Sequence, residues 1–522
     1  MGSIENTTAA DPSSILNASL NGTSKADAPI PTPPVTEILA SFVADAPSHI
    51  SEYLTPQVRS RLKEYILDYI GVTLAATQTC ESTPAFLAAV EALGGHSSGS
   101  TACTVLGVGK RYAPQYAGLL NAALGHSLDF DDTYARGTLH AGVTAIAAAF
   151  AQAEQAYADA DAEAKPEPDS SSQSPSTSMS TSMDLFLVAI ATGYEITCRL
   201  GAVLGPEAYA RGFHNTSTAG IFGAVATLSV LKRLEGHVVA NAFGLAGSKA
   251  AGSMQYLANG SWNKRLHPGF AVHDAFMCVA LAEAGVLGAA HIIEGEMGFL
   301  HAYTSKPTIP AADVAWLVGQ LGQRWEFLET SLKPFPACRM THGFIEYAAT
   351  LGVGAGYASS AADVKSITLS LSPSNVLVVG VRSPNKLHPG NMVDAQFSAY
   401  FTTANSFLYG AEDAGGVQCY RPDRLNDREI WDLSEKIVCV GDEGITQFGS
   451  RIRVEYVDGQ VREVDIPTPL GEVGRPFGRE LVERKFRGLV EPVVGAERAS
   501  AMVKAVDELE RYTVVDILGM LC

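Results

Sequence analysis

Five short segments of the chain place Asp, His, Lys and Thr side chains within otherwise apolar sequence. The first reads HSLDFDDT at 126–133, and His140 follows it. Three carboxylates in four residues would repel one another if all were buried and charged, so some must be paired or protonated, or must cap a helix. The segment therefore predicts an acid–base site around His140 or, as the structural alternative, a cap from Asp131 or Asp132 on a helix that begins after Thr138.

The second segment, RGFHNTSTAG, is a polar entry into an apolar helix. Its His214 would lie near the helix N-terminus, where free backbone NH groups and the helix dipole favour a carboxylate. The third segment, GSWNKRLHPG, predicts an anion clamp built from Lys264, Arg265 and His267. The structural alternatives are a packed histidine in the second segment and a solvated basic loop in the third.

The fourth segment, LKPFPACRMTHG at 332–343, has prolines that would hold Lys333 in a fixed direction. Cationic neighbours would lower the pKa of Cys338, although no base is paired with this thiol in the sequence, which disfavours a thiolate nucleophile. The fifth segment, DAQFSAY, predicts Gln396 and Tyr400 on one helix face, four residues apart. We expect Lys333, Cys338, Gln396 and Tyr400 to help hold a substrate. Core packing is the alternative for Gln396 and Tyr400.

The overall charge restricts the class of partner. There are 55 acidic and 37 basic residues among 522, for a net charge of -18. This balance disfavours binding to nucleic acid, which needs a basic face, but a local basic cluster can still attract a small anion. The sequence contains no P-loop, no dinucleotide-binding glycine pattern, no HExxH and no GxSxG, which disfavours nucleotide, metal and serine-hydrolase sites.

Hydrophobic periodicity divides the chain. Residues 35–305 predict a helical domain, with a helix beginning at Thr55-Pro56 and a low-complexity loop at 162–183. Residues 306–475 predict an inserted α+β lid domain, and 476–522 predict helices that return to the first domain. The composition of residues 1–34 is typical of a disordered leader. The fold class is therefore mainly α, with a large all-helical domain and a smaller α+β insertion.

Strands are predicted only in the second part. Alternating apolar residues indicate a half-buried strand at 366–372 and a short strand at 437–440. Residues 450–466 indicate a hairpin with its turn at Asp458-Gly459. Val461 breaks the alternation of the returning strand, which indicates a β-bulge there.

The eight cysteines are scattered without a CxxC pair, and the N-terminus lacks an apolar signal segment. Both features predict a reduced, cytoplasmic protein. No uninterrupted apolar run of membrane-spanning length lies outside the Ala- and Gly-rich helical segments, so we expect no membrane partner.

In order and spacing, the five segments resemble the MmgE/PrpD family, which includes cis-aconitate decarboxylases and 2-methylcitrate dehydratase-like enzymes. A late ERKFRG at 483–488 also fits. The resemblance covers about 55–490 and implies an all-helical domain with an inserted α+β lid, and an active site between them. It also implies a homodimer that uses neither a metal nor an organic cofactor.

The resemblance implies particular site residues. Positions that match the decarboxylase pocket are Asp129, Thr133, His140, His214, Lys264 and Lys333, with His267 in the same motif. Cys338 stands where some decarboxylases have a histidine, although other members carry Cys there. Thr133-Tyr134-Ala135 departs from a common pattern with a histidine soon after the Asp-Asp pair. These departures leave the substrate and the reaction open.

The implied activity is that of a lyase on a citrate- or aconitate-like polycarboxylic acid. We expect His140 to transfer the proton, Asp129 to orient it, and Lys264, Lys333 and His214 to neutralise the substrate carboxylates, with a hydrogen bond from Thr133. Dehydration of a 2-methylcitrate- or alkylcitrate-like acid in secondary metabolism is favoured over cis-aconitate-type decarboxylation. Two further alternatives are a non-catalytic binding protein and an isomerase, epimerase or cyclase with an apolar substrate. In the latter enzymes the important side chains would be Phe130, Tyr134, Phe335 and Tyr400.

Overall fold

The computed structural model describes residues 34–99, 101–163, 182–306 and 309–521. Nearly all of the predicted leader at 1–34 and of the predicted loop at 162–183 therefore lies outside the described residues. The described helices of eight or more residues are α1 Val35–Asp45, α2 Pro56–Thr79, α3 Thr83–Ala92, α4 Pro114–Ser127, α5 Gly142–Glu163, α6 Met183–Ala210, α7 Gly220–Lys232, α8 Gly236–Gly247, α9 Asn263–Glu283, α10 Ala311–Val318, α11 His342–Leu351, α12 Ala399–Tyr409, α13 Arg428–Glu435, α14 Arg479–Val494 and α15 Ala496–Asp507.

Helix α2 begins where the sequence predicts. The Thr55 hydroxyl accepts a hydrogen bond from the Val58 amide at 3.3 Å, and Pro56 occupies the first turn, where its missing NH costs no hydrogen bond. The apolar residues predicted at helical spacing all lie in the core: Val58, Leu62, Tyr65, Ile66, Tyr69 and Ile70.

Small residues let the central helices pack closely. A Cβ atom on Gly193 of α6 would lie 2.0 Å from the Thr227 hydroxyl and 2.8 Å from the Gly223 carbonyl oxygen on α7. A Cβ on Gly223 would in turn lie 2.6 Å from the Gly193 carbonyl oxygen. Either substitution would push the two helices apart, so the Ala- and Gly-rich composition sets the spacing of this bundle.

Helix α6 is long and apolar enough to cross a membrane. However, 94% of its most apolar window is buried against the rest of the protein. We therefore interpret α6 as a core helix, since a helix that is apolar on all sides is accommodated equally well in the centre of a bundle.

The strands are β1 Cys103–Thr104, β2 Arg111–Tyr112, β3 Thr133–Tyr134, β4 Thr330–Ser331, β5 Val364–Leu371, β6 Ile437–Gly441, β7 Ser450–Tyr456 and β8 Val461–Ile466. The last four form one sheet in the order β6-β5-β7-β8. Strand β6 is parallel to β5, and the other two pairings are antiparallel. Helices α11 and α12 pack against each other, and α11 also packs against β7. The predicted fold class, mainly α with a smaller α+β region, is confirmed.

The hairpin forms as predicted, but without the predicted bulge. Asp458-Gly459 makes the turn, with Gly459 in the left-handed region at φ 89°. Val461 pairs in register with Glu455, and the irregularity of the sheet lies instead between Val364 and Ser366 on β5. Val461 is exposed at the outer end of an edge strand, so its side chain does not have to alternate with buried neighbours.

Two segments outside 35–305 pack against the helical part. Helix α10 contacts α1 and α6, and strand β4 pairs with β3 through Thr330 and Tyr134. The lid therefore begins after Ser331 rather than at 306, because 311–331 cover the helical bundle. Near the C-terminus, α14 lies along α2.

Candidate active site

The first segment forms a strained turn at the end of α4. Asp129 has φ 50°, in the left-handed region that non-glycine residues rarely adopt. Hydrogen bonds from distant parts of the chain hold this turn. The Lys333 ammonium donates to the Asp129 carbonyl oxygen, and the Gln396 side-chain amide donates to the Leu128 carbonyl oxygen at 2.7 Å. Strain of this kind persists only where the surroundings over-determine the backbone, and it is frequent at functional sites.

The C-terminal helices also support the turn. Lys485 on α14 donates to the Phe130 carbonyl oxygen at 2.7 Å, and its ammonium lies 3.8 Å from the centre of the Phe130 ring. The same ammonium is 2.6 Å from the buried Asp68 carboxylate on α2. A cation that is paired in this way can be buried without an uncompensated charge. The ERKFRG segment therefore acts behind the turn, where its lysine positions the backbone.

Asp129 lies between two ammonium groups. One oxygen is 2.6 Å from Lys264 Nζ, and the other is 2.9 Å from Lys333 Nζ. Burial alone would raise the pKa of Asp129, but the two cations outweigh it and hold the pKa below its ordinary value. Asp129 Oδ1 is also 3.5 Å from His140 Nε2, but its closer partners are the lysines, so its predicted role in orienting His140 stays a prediction.

Asp131 contacts two imidazole rings. Its Oδ2 is 2.8 Å from His126 Nδ1 in the last turn of α4, and its Oδ1 is 3.1 Å from His140 Nδ1. Burial opposes ionisation, but the two rings hold the pKa of Asp131 well below its ordinary value. Burial lowers the pKa of His140, against the effect of the Asp131 carboxylate. Asp131, which the sequence offered only as a helix cap, is thus the carboxylate nearest to His140.

Asp132 is the helix cap. Both of its oxygens lie 3.2 Å from the amide of Gly142, the first residue of α5. Gly142 is required at this position, since a Cβ atom there would lie 2.7 Å from Asp132 Oδ1 and 1.7 Å from the Tyr194 hydroxyl. Burial, with the nearby charges of Asp131 and Asp68, raises the pKa of Asp132 to about 8. The structural alternative predicted from the sequence is confirmed for this one of the three carboxylates.

The second and third segments meet at a pair of imidazoles. His214 Nδ1 and His267 Nδ1 are 2.9 Å apart, and the His214 ring stacks on His126 with 5.5 Å between centroids. Burial lowers the pKa of His267 to about 4 and that of His214 well below its ordinary value. Lys264 and His267 are buried on α9, so the third segment is not a solvated loop.

These groups surround a small cavity of about 50 Å³ between the helical part and the lid. We call Asp129, His140, His214 and Lys264 the charged wall of this cavity. The lid wall is our name for four further lining residues, Cys338, Met340, Phe397 and Phe448, of which Phe397 has its ring centre 5.7 Å from Lys264 Nζ. Further lining residues are Thr133, Tyr134, Thr138, Leu139, Tyr209 and Arg339. A cavity with one polar and one apolar side is typical of small-molecule sites.

Two lining side chains have donors that nothing in the described part of the chain occupies. The Thr133 hydroxyl and Arg339 Nη2 are buried, and neither has a hydrogen-bond partner among the described residues. The other edge of the Arg339 guanidinium pairs with Glu472. Buried donors are normally paired, so these two are candidates for contacts with a ligand. Arg339 follows Cys338 in the fourth segment, but it was not among the site residues predicted from the sequence.

Cys338 lines the cavity, but its predicted cationic activation is wrong. Burial raises the pKa of the Cys338 thiol to about 11, because desolvation outweighs the nearby Lys333 ammonium. The backbone NH of Cys338 donates to the Gln396 carbonyl oxygen at 2.9 Å. A protonated thiol contributes a compact, weakly polar surface to the lid wall.

Several predicted substrate-binding residues do not line the cavity. Arg265 points away from it, towards the Ser82 hydroxyl at 2.9 Å and Glu81 at 3.3 Å. Tyr400 donates to the Gly380 carbonyl oxygen within the lid. Gln396 and Tyr400 do not share a helix, because the Ser398 side chain caps a new helix between them. Gln396 and Lys333 support the Asp129 turn from behind, and His267 supports His214.

His126, Asp131 and His140 also have the composition of a metal-ligand set, with ligand atoms within 4.8 Å of one another. The distance between His126 Nδ1 and Asp131 Oδ2 is that of a direct hydrogen bond. The Lys264 ammonium lies 2.9 Å from His126 Nε2 and would repel a divalent cation. We therefore interpret the group as a hydrogen-bonded network, and the absence of a cofactor stays a prediction.

Comparison with known proteins agrees with this arrangement. Residues 37–311 match the MmgE/PrpD N-terminal domain, and residues 335–511 match the MmgE/PrpD C-terminal domain. The chain belongs to the MmgE/PrpD family. The junction between the two matched regions of this MmgE/PrpD chain coincides with the passage from the helical bundle to the lid.

Three relatives cover most of the MmgE/PrpD chain at 26% identity. They are the cis-aconitate decarboxylase-like protein oryM of Aspergillus oryzae, over 420 residues (78% of this chain and 82% of the relative), the cis-aconitate decarboxylase of Aspergillus terreus, over 437 residues (79% and 82%), and that of Homo sapiens, over 476 residues (88% and 89%). The chain is therefore an enzyme of a lyase family, as predicted. These names do not support the sequence-based preference for dehydration.

Proposed function

We propose that the enzyme decarboxylates an aconitate-like polycarboxylic acid without a cofactor. The observation that carries the proposal is a cavity lined by an imidazole and an ammonium together with the mainly apolar lid wall. The activity named for the three relatives supports the same reaction class. Both walls have a place in such a reaction, since a proton must be delivered on one side and CO2 released on the other.

Substrate carboxylates would bind to donors that the protein leaves available. The Lys264 ammonium has three protons and two described acceptors, His126 Nε2 and Asp129 Oδ1, so one proton remains for the substrate. Arg339 Nη2 and the Thr133 hydroxyl are further donors at the cavity. Together they would hold two carboxylates in a fixed orientation, with the reacting carbon next to His140.

The charges around the cavity explain how His140 would become an acid. Before a substrate binds, Asp129 and Asp131 face Lys264 and Lys333, and burial favours the neutral form of His140. A bound polycarboxylate adds negative charge beside the ring, which raises the pKa of His140 and favours its protonation. Substrate binding thus favours the protonated His140 that the reaction requires, and the reaction consumes the proton of His140.

The reaction can be written with all atoms and electrons in place. His140 Nε2 donates a proton to one carbon of the substrate C=C bond. The C–CO2 bond in the allylic position breaks, and its electron pair forms a new C=C bond, so that CO2 leaves and the double bond has moved. A substrate carboxylate that faces the apolar lid wall loses hydrating water, which destabilises the charged group. Neutral CO2 needs no such hydration, so the lid wall lowers the barrier to decarboxylation.

A second candidate is dehydration of a citrate-like acid, as the sequence favours. The observation behind it is Cys338, which stands where some decarboxylases have a histidine. Loss of water from such an acid also needs cations for the carboxylates and an imidazole for proton transfer. The two reactions therefore use the same charged wall and differ at the lid wall.

Product analysis distinguishes them. We would incubate the purified enzyme with cis-aconitate, citrate and 2-methylcitrate and record CO2 release and product mass, with His140→Gln as the control. Release of CO2 equal to the loss of cis-aconitate would support the proposal. Loss of water alone would establish dehydration instead, and a product of unchanged mass would favour an isomerase. Turnover of none of these acids would remove the proposal.

We further propose that the enzyme acts as a cytoplasmic homodimer, as the family resemblance and the cysteine pattern imply. Light scattering after size exclusion would give the mass in solution. A mass of twice 55.0 kDa is expected, and the mass of one chain would contradict the dimer.

A further inference from the structure

We propose that Asp131 is a positioning residue that sets the tautomers of two imidazoles, so that His140 presents Nε2 to the substrate while His126 presents Nε2 to Lys264. Of the measurements that test this proposal, only those of activity rest on the proposed function. One carboxylate would thereby control both the proton donor and the ammonium that binds the substrate.

The first step concerns His126. Its Nε2 lies 2.9 Å from Lys264 Nζ, and an ammonium can only donate hydrogen bonds. His126 Nε2 must therefore be the acceptor. Burial lowers the pKa of His126 to about 3, so the ring is neutral and its single proton lies on Nδ1. This proton points to Asp131 Oδ2 at 2.8 Å, which requires the carboxylate to accept.

The second step concerns His140. Asp131 Oδ1 lies 3.1 Å from His140 Nδ1, which is ion-pair distance, and neither of these buried atoms forms a hydrogen bond among the described residues, so each is the nearest polar partner available to the other. A charged carboxylate cannot donate, so the proton of neutral His140 belongs on Nδ1. Its Nε2 then carries the lone pair at the cavity, where Asp129 Oδ1, another acceptor at 3.5 Å, does not occupy it.

The third step is the connection between these groups. Asp131 is nearly fully buried, with 2% of its side chain exposed, so solvent does not replace either contact. The charged groups around Asp131 and His140 are Asp68, Asp129, Lys264, Lys333 and Lys485, with Asp132 and His214 as neutral neighbours. Of these, Asp68 and Lys485 pair with each other, and Asp129 pairs with both other lysines. Asp131 is therefore the carboxylate available to the two rings.

The test is Asp131→Asn, with Asp132→Asn as a matched control. Both changes replace a buried carboxyl by its isostere in adjacent positions, but Asp132 caps α5, accepts from the Tyr194 hydroxyl and already carries a proton at neutral pH. An amide at 131 has one acceptor atom and one donor atom, so one ring must adopt the other tautomer. We expect kcat to fall by roughly 10²- to 10⁴-fold in Asp131→Asn, as for other carboxylate–imidazole pairs, and to stay within about twofold in Asp132→Asn.

Tautomers are read directly by long-range ¹H–¹⁵N NMR of histidine-labelled protein, with signals assigned from His126→Gln and His140→Gln. The wild type should show Nδ1–H on both rings, and Asp131→Asn should show one ring with Nε2–H. The pH profile gives a third readout. Because Asp131 raises the pKa of His140, its loss should move the limb that requires protonated His140 to lower pH. The profile of Asp132→Asn should not move.

An Nε2–H tautomer on His140 in the wild type would overturn the proposal even if Asp131→Asn did not fold. Equal loss of activity in the two Asn variants, with unchanged tautomers and pH profiles, would reduce Asp131 to a structural residue. If no acid is turned over, the proposed function fails, while the NMR result still decides the role of Asp131.

Discussion

The two walls of the cavity are built in opposite ways. Each side chain of the charged wall contacts at least one other ionisable side chain at hydrogen-bond or ion-pair distance. These contacts extend beyond the wall, from Asp129 and Lys264 to His126 and from His126 to Asp131. On the lid wall, Met340, Phe397 and Phe448 are apolar, and the thiol of Cys338 is protonated. The helical part thus supplies most of the fixed charges, and the lid supplies an apolar cover together with Lys333, which pairs with Asp129.

This difference indicates that the two walls have different roles in the reaction. Preorganised charges stabilise a reaction only when water is excluded from them, so the network needs the lid. Two lid residues hold the network directly, since Lys333 pairs with Asp129 and Gln396 donates to the Leu128 carbonyl oxygen, whereas the side chains of the lid wall add no charge to it. Proton transfer should therefore depend on the charged wall, and the choice between related acids on the lid.

The largest effect is expected for His140→Gln, which removes the proton donor and keeps a side chain of similar size. The kcat value should fall by roughly 10²- to 10⁴-fold, the usual contribution of an acid–base group, with a smaller change in KM. Steady-state kinetics with circular dichroism as a check on folding would measure it. Turnover close to that of the wild type would show that the charged wall does not supply the proton.

Lys264→Met should come next. The change removes the donor to His126 Nε2 and one of the two partners of Asp129, as well as the proposed substrate contact. We expect kcat/KM to fall by about 10²- to 10³-fold, the loss typical of one preorganised donor. Lys365→Met, an exposed lysine on the lid sheet, is the control. Equal kinetics in the two variants would contradict a role for the ammonium.

Asp132→Asn tests the charge of the neighbouring carboxyl through stability. The pKa of Asp132 is about 8 in the folded protein and near 3.8 in the unfolded chain, so the folded state binds an extra proton between these values. The free energy of unfolding of the wild type should therefore fall as the pH rises from about 4 to 8. The amide of the variant does not ionise, so the variant does not undergo this loss of stability. At pH 8 its free energy of unfolding should exceed that of the wild type by a few kcal/mol (about 1.4 kcal/mol per pH unit, reduced by relaxation). Urea unfolding at pH 5 and pH 8 would measure the difference, and a constant difference would refute it.

Two buried arginines provide a comparison within the cavity region. Both have buried nitrogens without a hydrogen-bond partner among the described residues, but Arg339 lines the cavity, whereas Arg265 faces Ser82 and Glu81. Arg339→Gln should lower kcat/KM by about 10- to 100-fold through a lost charged hydrogen bond, while Arg265→Gln should stay within about twofold. Kinetics on folded protein would separate them. A larger loss of kcat/KM in Arg265→Gln than in Arg339→Gln would support Arg265 as the substrate-binding residue that the sequence indicates.

The smallest effect is expected on the lid wall. Phe448 lies at the boundary between the cavity and an outer groove, so Phe448→Ala should enlarge the opening. We expect a change of about tenfold or less in KM, altered preference among acids of different length, and an unchanged pH profile. Leu377→Ala, on a side chain that is 74% exposed, is the control. A shifted pH profile would show that the two walls are not independent.

Local patterns predicted what depends on local physics. The cap at Thr55, the alternating strand at Leu369 and the turn at Gly459 all follow from neighbouring residues, and the structure contains each of them. The segment order also identified the family. The segments that meet at the cavity were correctly singled out, because polar groups within apolar helices must find partners somewhere.

Directions of side chains within those segments could not be predicted. Arg265 and Lys264 are adjacent on one helix, and only the position of α9 against its neighbours decides which faces the cavity. The positive φ of Asp129 rotates its carboxylate towards the lysines and leaves His140 to Asp131. The separate helices of Gln396 and Tyr400 depend on a cap at Ser398 that the periodicity did not reveal. These outcomes depend on contacts between residues far apart in the chain.

Proton uptake on binding tests the balanced charged wall most directly. Propane-1,2,3-tricarboxylate, a saturated acid that cannot undergo the proposed reaction, would be titrated into the enzyme at pH 7 in buffers of different ionisation enthalpy. About one proton should be taken up in the wild type, because the trianion raises the pKa of His140, and none in His140→Gln. Tight binding without proton uptake, or equal uptake in the variant, would contradict the role given to His140 and its network.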